Sequence, residues 1–110
     1  MIVLSWNCWE LGNRSAVEVL ADLVRKKDPI ILFLMETKLT VHEMEPIKSE
    51  LGFSSRLAVS SEGRRGGLAL LWKTDMVVHT QTYSPHHIDV QVPSIQLWRL
   101  TGIYGYPRSR

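Results

Sequence analysis

Cysteine is nearly absent from this sequence: Cys8 stands alone among 110 residues. A lone cysteine excludes an intramolecular disulfide framework, and a reducing, intracellular setting (nuclear or cytoplasmic) is the natural expectation. Long apolar runs are missing too. Nothing approaches the ~20 residues that span a bilayer, so no membrane partner is expected. The opening MIVLSWNC lacks the basic leader and full-length apolar region of a secretory signal. Charge of one sign is also scarce. Thirteen Lys and Arg against eleven Asp and Glu leave +2, too little to argue for nucleic-acid binding by bulk charge. With no repeat, linker or low-complexity stretch, residues 1–110 read as one continuous α/β body.

What is present begins with a buried-strand pattern, Ile2 to Leu4 with Trp6. Ser15-Ala-Val-Glu18 then has capping-box spacing. Val17, Leu20, Ala21 and Val24 recur at i, i+3, i+4 and i+7, one apolar helical face. Arg25, Lys26 and Lys27 fall in the last turn, where positive charge suits the helix dipole, and they read as a solvated helix end. Pro29 closes the unit. The run IILFLM, residues 30–35, has no polar alternation, as a central strand covered on both faces requires. Strand, helix, strand at this length is a βαβ unit with parallel strands.

Thr40 to Leu51 reads as a second helix, with capping-box spacing at Thr40 and Glu43 and Gly52 placed to end it. Pro46 predicts an irregular start, or a proper start only near Glu45. Short β-like pieces follow at 54–59, 67–72, 77–83, 88–92 and 95–104. Ile88, Val90 and Val92 alternate with polar residues, as in a half-exposed strand.

Two residues stand where α/β enzymes place active-site groups, at the ends of buried strands. Glu36 follows IILFLM directly. A lone buried carboxylate is costly, so such a group finds a cation, a hydrogen-bond network or water. Mg²⁺ suits it, because it takes one or two carboxylates and keeps waters that a phosphate can replace. Taken alone, Glu36 reads more readily as a solvent-facing residue of the loop ETKLT. Asn7 holds the equivalent place after the first strand, with a donor and an acceptor to offer, or as a turn residue. If the two strands are neighbours, Asn7 and Glu36 converge on one rim. Cys8 reads as a small filler at the strand end.

The order SWNC…LGN, LMETKL, GRRGGLALLW and TGIYGYP resembles the endonuclease/exonuclease/phosphatase superfamily over the whole length. It is most similar to the N-terminal endonuclease domain of plant LINE-type retrotransposon polyproteins. The resemblance implies the N-terminal part of a four-layer α/β sandwich, two packed mixed β-sheets flanked by helices, truncated here. It also implies a metal-dependent phosphodiesterase site using Mg²⁺ or Mn²⁺, with DNA as the ancestral substrate. On this likeness Glu36 matches the metal-binding glutamate and Asn7 the asparagine beside it. Tyr104 matches a tyrosine that contacts the scissile phosphate. Gly66 and Gly67 match glycines that open a strand near the substrate groove. Arg64 and Arg65 beside them could meet a phosphate backbone, or simply form a charged hairpin tip.

The sequence departs from the family pattern twice. The family block reads like NCRGLGN, whereas here it is NCWELGN. If that glycine serves a positive φ, Glu10 adds ~1–2 kcal/mol of strain, and it brings negative charge near the phosphate site. Second, the Gly-Asp-Phe-Asn and Ser-Asp-His blocks, which supply the water-activating and charge-stabilising groups, do not occur. His86, His87 and Asp89 superficially resemble the last block but precede Tyr104, and they read as loop and strand residues. The expectation is therefore a truncated endonuclease-like domain without turnover. The alternatives are a non-catalytic nucleic-acid-binding module using Arg64, Arg65, Arg108 and Arg110, or a fragment of a phosphatase of the same superfamily. With its second half gone, the sheet is expected to lack a cover on its inner face and to favour self-association.

Overall fold

The computed structural model describes residues 2–62, 65–73, 76–92 and 98–103, the last group as backbone. β1 (Val3–Asn7) leads through a loop into α1 (Arg14–Lys27), then β2 (Ile31–Met35), α2 (Val41–Glu50), β3 (Ser55–Val59) and β4 (Leu68–Trp72). β5 (His79–Ser84), β6 (His87–Val92) and β7 (Trp98–Ile103) complete the order. The first four strands form one mixed sheet, ordered β1-β2-β4-β3, and the last three a second, antiparallel sheet ordered β5-β6-β7. β1 and β2 run parallel, with Val3 opposite Ile31 and Asn7 opposite Met35, so the βαβ expectation holds.

The missing polar alternation in β2 has its cause in a core on each side. Leu32 and Leu34, with Ala69 and Leu71 of β4, pack against Val17, Leu20 and Val24 of α1 and Met44 of α2. Ile31 and Phe33, with Leu68 and Leu70 of β4, pack against Ile88, Val90 and Val92 of β6. The period of two along each strand sends alternate residues to opposite cores. The layers are thus helices, first sheet, second sheet, the two-sheet sandwich expected from the resemblance. This corrects the expectation of an uncovered inner face: the chain's own β6 covers β2 and β4. The alternation of residues 88–92 shows a buried face but not what it is buried against.

Helix ends differ from expectation in two places. The cap of α1 is Asn13, whose side chain accepts from the Ser15 amide (2.9 Å). Ser15 is therefore inside the helix, and Glu18 instead pairs with Arg14 at i,i+4. Asn is at least as good a cap as Ser, and the helix takes the earlier candidate. In α2 the Thr40–Glu43 capping box is present, and the helix starts at Val41 despite Pro46 within it. Pro46 cannot donate to the carbonyl of His42; it lies on the exposed side, where water can replace the lost bond. Gly52 ends the helix at φ 85°. The basic last turn of α1 is solvated, with Arg25 and Lys26 both paired to Asp22. No helix among the described residues is long and apolar enough to cross a membrane.

Candidate metal and phosphate site

The strand register brings Asn7 and Glu36 to one rim. Asn7 is the last residue of β1 and lies opposite Met35, the last residue of β2, so Glu36 is one step beyond that pair. Adjacent strands run ~4.8 Å apart, so the two residues are neighbours. The main chain of Glu36 has φ 53°, in the left-handed region. That turn ends the strand alternation, which would otherwise send Glu36 to the face opposite Asn7. Glu36 is half-buried and Asn7 exposed, so both are reachable from solvent.

Three loops meet at this rim, and the main chain ties them together. The Cys8 amide donates to the Met35 carbonyl (2.8 Å) and the Leu11 amide to the Thr37 carbonyl (3.0 Å). The Thr37 amide donates to the Gly67 carbonyl (3.2 Å) and the Lys38 amide to the Gly66 carbonyl (2.9 Å). The segment 36–38 is therefore clamped between the loop after β1 and the glycines before β4. Gly67 is required on two grounds. Its φ is 91°, and a Cβ there would run into Thr37 Oγ1 and sit 3.0 Å from the Lys38 amide nitrogen. Thr37 is buried, and its hydroxyl accepts from the Leu39 amide (3.3 Å). No sequence signal marked Thr37. Lys38, a half-buried cation two residues from Glu36 with φ 57°, was missed as well.

The loop after β1 corrects one expectation. Positive φ falls on Trp9 (60°) rather than on Glu10, so the strain assigned to Glu10 belongs to the residue before it. The Asn7 side-chain oxygen accepts from the Trp9 amide (3.0 Å). Cys8 is buried within the helix-side core, and burial pushes its thiol up to about 12. It stays protonated near neutrality rather than forming a reactive thiolate, in keeping with a filler.

Of the other candidates, Arg65 is exposed and pairs through its main chain with Glu62 (2.9 and 3.0 Å). Arg64, Tyr104, Arg108 and Arg110 lie outside the described residues. His86 occupies the turn between β5 and β6, and His87 and Asp89 lie on β6. The His87 ring meets the hydroxyls of Thr82 (2.9 Å) and Ser84 (2.6 Å). These residues belong to the second sheet and to no rim loop.

Matched against family models, residues 4–109 fit the endonuclease/exonuclease/phosphatase family. The chain belongs to that family. Its fold is similar to an AP endonuclease from Archaeoglobus fulgidus, with TM-score 0.65 and 17% identity over 92% of this chain. It is also similar to the AP endonuclease LMAP from Leishmania major, with TM-score 0.57 and 15% identity over 93% of this chain. A truncated Caenorhabditis elegans TDP2 aligns at TM-score 0.50 and 24% identity over 82% of the chain. The chain spans 40%, 38% and 39% of these three structures. No protein of curated function matches the sequence.

The donor set fits a hard divalent cation. Mg²⁺ and Mn²⁺ accept carboxylate, carbonyl and water oxygens, and Mg²⁺ keeps several waters rather than demanding an all-protein cage. The half-buried Glu36 carboxylate at an open rim meets that requirement, whereas the Asn7 side-chain oxygen is already taken up by the Trp9 amide. A fuller cage is not on offer: among the described residues no group of three or more His, Cys, Asp or Glu converges.

Proposed function

We propose that this chain is the N-terminal part of a divalent-metal-dependent DNA endonuclease-type domain of LINE retroelement origin. In this reading the Asn7–Glu36 rim holds Mg²⁺ or Mn²⁺ against a DNA phosphate, and these 110 residues alone do not turn over. The observation that carries the reading is a carboxylate at the end of the central strand, one register step from an asparagine, in a rim of clamped loops. The fold shared with two AP endonucleases supports a phosphodiester of nucleic acid as the substrate class.

Each residue has a distinct task. Glu36 supplies the carboxylate that anchors the cation. A divalent cation held there would supply Lewis-acid polarisation of a phosphate oxygen. Asn7 spends its side-chain oxygen on the Trp9 amide, which leaves the NH₂ group to donate to a phosphate oxygen. Lys38 and the exposed Arg65 flank the Gly66–Gly67 approach and carry charge suited to the neighbouring backbone phosphates. What the rim loops lack is a base to activate water. Among the described residues they hold no histidine, and besides Glu36 their carboxylates are the exposed Glu10 and Glu62, the latter paired through its main chain with Arg65. A positioned base is worth ~10²–10⁴-fold in rate.

Calorimetric titration with Mg²⁺ and a plasmid-nicking assay test the reading together. Wild-type protein binds Mg²⁺, Glu36→Ala does not, and neither nicks. Unchanged Mg²⁺ affinity in Glu36→Ala removes Glu36 as the anchor. Nicking that vanishes in the mutant places a base that the sequence argument missed.

A further inference from the structure

Trp9 is the most exposed large apolar residue among those described, at 73%. Its backbone is also the least expected for its type. The Glu10 amide donates to the Cys8 carbonyl (2.6 Å) across Trp9, whose φ is 60°. A bond between residues two apart with positive φ between them is the strained form of γ-turn, rare outside glycine and asparagine. Strain of this kind persists only where the surroundings fix it, and it gathers at functional sites. Here the surroundings are specific. The Trp9 amide is held by Asn7 Oδ1, and Leu11, two residues on, is tied to Thr37. The result is an indole projected into water from the apex of a pinned turn, joined by one hydrogen bond to a candidate phosphate contact.

An exposed tryptophan next to a phosphate site has one chemistry that suits both neighbours. An indole face stacks on any nucleobase, while the phosphate of the same nucleotide reaches the polar rim. Charge on the two sides of the rim agrees. Glu10, beside Trp9, disfavours phosphate there, whereas Lys38 is tied through its amide to Gly66 and Arg65 adjoins the same glycines, away from the Trp9 loop. We propose that Trp9 is a stacking platform for an unpaired nucleobase, so that the rim takes a nucleic-acid strand at a single-stranded or unstacked nucleotide in preference to intact duplex. The inference rests on the phosphodiester reading and adds to it the form of the substrate.

The test is fluorescence anisotropy at low salt in Mg²⁺, with a labelled oligothymidylate and a blunt duplex of equal length. Wild type binds the single strand more tightly. Trp9→Ala weakens single-strand binding about tenfold and duplex binding hardly at all, and Trp9→Phe, which keeps a stacking ring, retains most of the affinity. Loss on both substrates alike, or on neither, overturns the stacking platform and leaves the phosphodiester reading standing. Wild-type protein that binds neither oligonucleotide overturns both.

Discussion

At the end of the first sheet where β1 and β2 finish, three non-glycine residues hold left-handed backbone: Trp9, Glu36 and Lys38. At the opposite end, the one such residue among those described is Asp28, the cap that stops α1. That end is closed by ordinary means. The Asp28 amide caps the Val24 carbonyl (2.8 Å), Pro29 is buried, and the Lys73 ammonium sits 5.0 Å over the Phe53 ring and 3.8 Å from Asp28. The same strands therefore join two dissimilar ends. One finishes helices in the conformations that sequence favours; the other bends residues against their preference and holds them with main-chain bonds. Strain of ~1–3 kcal/mol per residue is tolerable there because the doubly covered strand between the two ends is not marginal.

The largest effect should come from that shared strand. Leu32 is fully buried on the helix side, and Leu32→Ala should cost ~2–5 kcal/mol in urea unfolding. A loss under ~1 kcal/mol would mean that β2 is not the support common to both ends. A smaller and more local contrast lies within the rim. Gly66 and Gly67 both have positive φ, but a Cβ at Gly66 meets nothing within 4 Å. Gly66→Ala should then cost ~1 kcal/mol from backbone alone, and Gly67→Ala ~2–4 kcal/mol once the clash with Thr37 is added. Equal losses would break the claim that the loops are clamped by close approach.

The smallest effect belongs to the helices. Arg14, the first residue of α1, pairs with Glu50, the last of α2. A hydrogen bond from Arg14, aided by its charge, holds the Glu50 carboxyl below its usual 4.5. A lowered folded-state pKa gives stability that is present above the unfolded value and lost as pH falls through the folded one. Glu50→Gln should therefore flatten the acid side of the stability profile below about pH 4.5, with a small amplitude because the pair is exposed and screened. Thermal unfolding across pH 3–6 reads it out, and profiles that superimpose would remove the pair from the account.

The βαβ unit and the α2 capping box were legible in the sequence because each is encoded locally, by apolar spacing or by Thr40 and Glu43. The position of Asn7 and Glu36 was legible for the same reason, since each directly follows a buried run. The cover over Ile31 and Phe33 was not, because it depends on β6, more than fifty residues away. Nor was the strain at Trp9. The hydrogen bonds of Trp9 and its neighbours fix that backbone, and an absent glycine at position 10 drew attention to the wrong residue. Asn13 and Ser15 are both capping types, so composition could not choose between them.

The four hydrogen bonds that join the rim loops run from main chain to main chain. Apart from Gly67, they are indifferent to which side chains the loops carry. Residues 9, 10, 36 and 38 can therefore change identity while the loops keep their positions. A family with a basic residue and a glycine where this chain has Trp9 and Glu10 can share its rim without sharing its contacts. Such a rim lets substrate choice drift one residue at a time on a fixed frame, and the replacement of a cation by an indole is the kind of step it permits.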